Sequence, residues 1–187
     1  MRSAMVMFVQ WYNNIMTNLK NLPVYIKESS KQGKGVFAAK NFNAGELILE
    51  IDDRHIITDE SALTSEQHQF DLDYLEDKTV IMQEPEKYIN HSCDPNTYVK
   101  TKNGIRQVLA LRNVTQDKEI TYDYAINGDN DGTFTCHCGS KNCRDVYQGN
   151  FFKLPQELQV HYLPYLDDWF LKKYNAAIEK LELQAKL

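Results

Sequence analysis

A chain of 187 residues, 42% hydrophobic and 25% charged, is long enough to bury the core of one domain and to carry a small appendage. No apolar run comes near the ~18 residues that a membrane span needs, which excludes a helical span. Net charge is −5, yet residues 50–86 hold twelve acids against two bases, a local −10 that leaves +5 for the rest. Such a window disfavours nucleic acid and favours a basic partner, with a merely solvated acidic face as the alternative.

Residues 1–9 carry Arg2 and a short apolar run. That run is too short for a secretory signal and lacks a small-residue cleavage site. The expected location is therefore cytoplasmic, with the nucleus or delivery into a host cell as alternatives. Met16 is a second candidate start. A first strand is predicted over 24–27, a turn over 32–34 and a second strand over 33–37. The Gly33-x-Gly35 pair is either a plain turn or a place where the main chain comes close to a ligand. Asn43-Ala44-Gly45 is a further turn before a strand over 46–51. Thr58, Asp59 and Ser61 cap a helix predicted over 58–69, and strands over 70–74 and 79–82 follow from alternation. One helical turn over 85–89 leads into Asn90.

Residues 97–101 and 105–111 are β-branched or apolar runs separated by Asn103-Gly104, the composition of a hairpin with a primed turn. The hairpin is expected to hold the Asn90-His91 pair and the Tyr122-Asp123-Tyr124 tip at fixed positions relative to each other. Beyond residue 150, Leu154-Pro155-Gln156-Glu157 opens a helix with proline in its first turn. Leu163, Leu166, Phe170, Tyr174, Ala177 and Leu181 then recur at helical spacing on a second. That stripe covers the core, or else offers a homodimer or partner surface.

Four cysteines are present: Cys93 alone, and Cys136, Cys138 and Cys143 together. Four thiolates complete a tetrahedral structural zinc site with no open position. The alternatives are reduced free thiols or two disulfides. Cys136 and Cys138 are too close in sequence to pair comfortably, and the absence of a secretion signal disfavours disulfides altogether. Zinc would pin the C-terminal loop over the Asn90–Cys93 stretch.

Asn90-His91-Ser92-Cys93 followed by Glu119-Ile120-Thr121-Tyr122-Asp123-Tyr124 resembles the SET-domain protein-lysine methyltransferases. The Gly-x-Gly turn, the hairpin and the cysteine loop add to the likeness, which covers about residues 23–144. It implies a mostly β fold with short helices: several small antiparallel sheets, a knot-like C-terminal region and C-terminal α-helices. The implied layout is an N-terminal extension (1–22), the SET domain (23–125), a post-SET zinc loop (126–150) and a helical extension (151–187).

The resemblance also implies chemistry. S-adenosylmethionine is the cofactor, contacted by the Lys34, Gly35, Val36 and Phe37 turn, by Asn90 and His91, by Tyr124, and by His137 closing over the adenine. Tyr124 is the catalytic tyrosine. Tyr122 sits where relatives carry phenylalanine or tyrosine, a choice that governs how many methyl groups fit. The substrate is the lysine of a basic protein or peptide, consistent with the acidic window. One departure stands out: many relatives carry a channel tyrosine where this chain has Ile51-Asp52-Asp53-Arg54, leaving Tyr74 or Tyr98 to substitute. That departure favours a rival reading, a zinc-stabilised peptide-binding module that has lost turnover. Retention of Asn90-His91 together with Tyr124 favours the enzyme.

Overall fold

The computed structural model describes residues 22–70, 72–75 and 78–185. The Met16 start and all but the last residue of the N-terminal extension lie outside them. Twelve short strands among the described residues form four small sheets, with four α-helices beside them. The fold is thus mostly β, as the resemblance implies.

The first sheet runs β1 (Val24–Glu28), β2 (Lys34–Ala38), β10 (Glu119–Tyr122) and β7 (Asn90–His91). Its last pair is parallel, setting Thr121 against Asn90 and Tyr122 against His91. The link between these two strands is the second sheet's hairpin, β8 (Thr97–Lys102) and β9 (Ile105–Ala110), with β3 (Leu47–Glu50) on its outer side. Asn103 and Gly104 have φ of 53° and 77°, the two left-handed residues that match a tight turn to the strands' twist. Val36 and Ile120 of the first sheet, Ile48 and Val108 of the second, and Val114 from the link between β9 and β10 fill one core.

The acidic window folds into a third sheet, β4 (Ile56–Ile57), β6 (Lys78–Ile81) and β5 (Leu72–Leu75). The helix predicted over 58–69 is in fact two pieces, a 3-10 turn at Glu60–Ala62 and α1 at Ser65–Phe70. Two caps explain the break. Asp59 accepts from the Ser61 N–H at 2.9 Å. Thr64 and Gln67 then bond reciprocally at 3.2 and 2.9 Å, a capping box that starts a fresh helix. The strand predicted over 70–74 begins two residues later, at Leu72.

The fourth sheet pairs β11 (Asp129–Thr135) with β12 (Val146–Asn150) and was not anticipated, because β11 is exposed along its whole length and carries no alternation. The C-terminal segment supplies a second core of Phe151, Tyr162, Leu166, Phe170 and Ile178. The single helix predicted through Leu163 to Leu181 is corrected to a 3-10 turn at Leu163–Tyr165, α3 (Asp168–Lys173) and α4 (Asn175–Gln184), after α2 (Gln156–Tyr162). Pro164 cannot donate in a helix interior, and Asp167 caps α3 through the Trp169 N–H. The restart after Tyr174 shifts the phase, so Ile178 is buried and Ala177 is exposed. The rest of the stripe packs within the chain. Among the described residues, no helix is long and apolar enough to cross a membrane.

Candidate active site and metal centre

The four cysteines converge. Their Sγ atoms all lie within 4.8 Å of one another, and Cys93 and Cys136 are 3.7 Å apart. A tetrahedron with ~2.3 Å metal–sulfur arms has edges of about 3.8 Å, whereas a disulfide needs ~2.05 Å. The donor set therefore fits zinc. The Arg144 N–H donates to Cys93 Sγ at 3.4 Å, and the buried Arg144 Nε has no protein partner. Burial pushes the Cys93 thiol up. At Cys138 burial is outweighed by backbone N–H groups and the neighbouring thiols, which draw it down to about 7.

His91 joins this centre to the tyrosine tip. Its Nδ1 accepts from the Tyr124 N–H at 3.3 Å, so Nε2 carries the hydrogen and faces Cys93 Sγ at 3.4 Å. Burial lowers His91 to about 4, which keeps the ring neutral. Asp123, fully buried, accepts both Arg144 Nη groups at 2.6 and 2.9 Å and the Tyr162 hydroxyl at 3.3 Å. The residue between the two tyrosines thus fastens the cysteine loop and α2 to the tip. Asp123→Asn is expected to lower stability by about 3 kcal/mol, because it leaves a buried guanidinium short of its counter-charge. Thermal unfolding checks this: an unchanged midpoint would mean that the pair carries no stability.

Asn90 is clamped to the glycine turn. Its amide nitrogen donates to the Gln32 and Lys34 carbonyls at 3.3 and 3.0 Å and to Glu119 Oε1 at 2.9 Å. The close approach at Gly35 is to this same Glu119: a Cβ there would meet its carboxylate at 2.6 Å. Gly33, at φ +45°, makes the turn itself.

Between these parts lies a cavity of about 910 Å³, the size of a cofactor or drug-sized site. Gln32, Gly33, Lys34, Tyr88 and Asn90, neighbours through the Asn90 bonds and the Lys34–Tyr88 contact, line it at the glycine turn. Phe134, stacked on Tyr147 at 4.4 Å, and Tyr122, Tyr124, Tyr98, Ile51 and Trp169 are also in its lining. The Tyr122 and Tyr124 rings are 4.7 Å apart, and the Tyr124 hydroxyl donates to the Ile89 carbonyl at 2.7 Å. Burial pushes both hydroxyls well above the ordinary tyrosine value, so both stay protonated.

Of the residues singled out in the sequence, the cavity brings together Lys34, Asn90, Tyr122 and Tyr124. Val36 is in the core and Phe37 packs on Tyr25, with ring centroids 5.9 Å apart. The His91 side chain faces the cysteines and the Tyr147 ring, and His137 is exposed between two buried cysteines. Tyr98 and Ile51 both line the cavity; the Tyr74 side chain lies outside the described residues. Sequence reasoning missed Tyr147, Phe134, Trp169 and Arg106. The one available signal was aromatic residues on each side of the cysteine loop, at Phe134 and Tyr147, which stack at 4.4 Å.

Comparison with known proteins bears on the same region. The family model described as SET domain matches residues 33–125. The histone-lysine N-methyltransferase trithorax of Drosophila virilis is 31% identical over 65% of this chain. Histone-lysine N-methyltransferase 2D of Homo sapiens is 28% identical over 71%, and histone-lysine N-methyltransferase trr of Drosophila melanogaster 30% identical over 72%. These proteins are far longer, and the match takes 4%, 3% and 6% of their lengths respectively. A crystal structure of a Plasmodium falciparum protein is 27% identical, with a TM-score of 0.46, over 55% of this chain and 92% of that one.

Proposed function

Because this chain belongs to the SET-domain family, we propose that it is an S-adenosylmethionine-dependent protein-lysine N-methyltransferase acting on a basic protein or peptide. The observation that carries the reading is the single cavity joining the Asn90–glycine-turn end to the Tyr122–Tyr124 pair. The residues fit the cofactor. Asn90, with its nitrogen committed to the turn, keeps its carbonyl oxygen to accept from an ammonium group. Lys34 and Gly33 border the same end, and Phe134, 42% exposed, offers a ring face to a base. When bound, S-adenosylmethionine supplies an electrophilic methyl group.

The chain's own residues must then prepare the amine. An unperturbed lysine near pKa ~10.4 costs roughly 4–5 kcal/mol to deprotonate at neutral pH. An aromatic wall of Tyr98, Tyr122, Tyr124 and Tyr147 disfavours the ammonium form and excludes water. Tyr124, its hydrogen committed to the Ile89 carbonyl, presents oxygen lone pairs that orient the amine. Neither buried tyrosine serves as the base, since both stay protonated; the amine gives up its proton before it docks.

The four cysteines would hold one structural zinc, with no coordination position left for the reaction. The post-SET loop at 126–150 and the helical extension at 151–187 are part of this proposal. So is a histone acceptor, the substrate class printed in the relatives' names.

Tyr122 bears on product multiplicity. At the end of β10 it lines the cavity with Tyr124, and a water held on its hydroxyl would occupy the space a dimethylated nitrogen needs in order to turn. Mono- or dimethyl-lysine is therefore expected, and Tyr122→Phe should shift products toward trimethyl-lysine with little change in the first transfer. Mass spectrometry at exhaustive reaction checks this, and trimethyl-lysine from the unmutated chain would show a larger pocket. Isothermal titration with S-adenosylmethionine tests the function directly and separates the enzyme from a binding module, because a chain without cofactor affinity is not the enzyme.

A further inference from the structure

Arg106 stands in the cavity wall next to Ile51, whose N–H donates to the Arg106 carbonyl at 2.8 Å. All three nitrogens of its guanidinium donate to two carboxylates from separate parts of the acidic insert. Nε and Nη2 donate to both oxygens of Asp53 at 2.8 and 2.6 Å, and Nη1 donates to Asp73 Oδ2 at 2.6 Å. The side chain is only 13% exposed. Burial opposes its charge, but the two carboxylates outweigh that and hold it more firmly protonated.

The insert, residues 53–81, makes its own sheet, which shares no strand with the others. Among the described residues, the hydrogen bonds that join it to the other sheets all run through this guanidinium. No strand of β4, β5 or β6 is paired to the hairpin, so past the Ile51 N–H bond to the Arg106 carbonyl no backbone hydrogen bond among the described residues ties the insert to the hairpin. We infer that Arg106 is a positioning residue: it holds the acidic insert against the β8–β9 hairpin and thereby sets the part of the cavity wall made by Ile51, Asp73 and Arg106.

The charge balance gives the arrangement a second consequence. One guanidinium against two carboxylates leaves a net −1, and Asp73, 32% exposed, lines the cavity. The locked insert therefore presents negative charge to an incoming cationic segment. A lysine at position 106 could meet one carboxylate as a point charge but could not span both, since only the planar fork donates in three fixed directions.

The consequence for substrate rests on the methyltransferase reading; the lock does not, and two arms of one experiment keep them apart. In the first, amide hydrogen exchange is followed in the full chain and in Arg106→Met. Exchange across 53–81 is expected to rise about tenfold or more, with the hairpin at 97–110 unchanged. Arg106→Lys should restore part of the protection, and Asp73→Asn, which removes one arm only, should give a smaller rise in case Arg106→Met folds poorly. In the second arm, with core histones as acceptor, Arg106→Met should raise KM for the histone about tenfold while kcat and the KM for S-adenosylmethionine stay within about twofold. Unchanged exchange over 53–81 in both Arg106→Met and Asp73→Asn would overturn the lock. A fall in kcat at constant histone KM would overturn the positioning role. If the unmutated chain does not methylate core histones, the substrate proposed above fails, and the exchange arm alone decides the lock.

Discussion

Tyr124→Phe is expected to lose about 10²–10³-fold in turnover, the scale for removing one oriented hydrogen-bonding group from a reacting centre, while affinity for S-adenosylmethionine stays within several-fold. The substitution deletes one oxygen and keeps the ring. The ring's contacts at 4.7 Å with Tyr122 and 5.3 Å with His91 persist, so the channel remains walled. What disappears is the hydroxyl, held at 2.7 Å on the Ile89 carbonyl, whose lone pairs would steer the amine in the proposed reaction. The freed carbonyl costs on the order of 1 kcal/mol of stability, too little to account for a thousandfold loss, and a thermal melt run beside the assay separates the two. Single-turnover transfer of labelled methyl checks the prediction. Undiminished turnover in the variant would remove Tyr124 from the catalytic role.

Loss of zinc should have the largest effect on the fold. Structural zinc contributes apparent free energies of about 10–16 kcal/mol in small domains, and this centre joins parts far apart in sequence: Cys93 after β7, and Cys136, Cys138 and Cys143 between β11 and β12. Elemental analysis of protein purified without chelator is expected to give about one zinc per chain, since four thiolates complete one site. Cys143→Ser should lose most of the metal, loosen the C-terminal helices and weaken cofactor binding. The route runs through Arg144, whose guanidinium holds Asp123 and, with Tyr162, ties α2 to the tyrosine tip. Well under one zinc per chain in the unmutated protein would end this assignment.

Much of the site was legible in the sequence because its parts are local. Asn103-Gly104 between two β-branched runs specified its hairpin, since few residues tolerate two consecutive positive φ angles. The cysteine spacing specified a cluster, and the fixed placement of Asn90-His91 relative to the Tyr122–Tyr124 tip followed from the hairpin between them, though their parallel pairing did not. The C-terminal stripe was misread for a reason also visible in the sequence. Pro164 and the cap at Asp167 interrupt the periodicity, and apolar spacing across both was counted as one helix. What could not be read was long-range. Arg106 meets Asp53 and Asp73 across 53 and 33 residues, and any of the insert's many acids could have met it. Phe134 and Trp169 are aromatic residues on polar stretches, and only the fold turns them toward the cavity. Gly35 carried a real constraint with a different neighbour from the one its motif suggested, namely the Glu119 carboxylate.

The most direct measurement is methyl transfer itself: the purified chain is incubated with labelled S-adenosylmethionine, core histones and an array of lysine-containing peptides, and the labelled residue is identified by mass spectrometry. The account predicts methyl groups on the side-chain nitrogen of lysine, in basic sequences, lost in Tyr124→Phe. Tight binding of the cofactor with no label on any lysine, or label equal in the unmutated chain and in Tyr124→Phe, would contradict it.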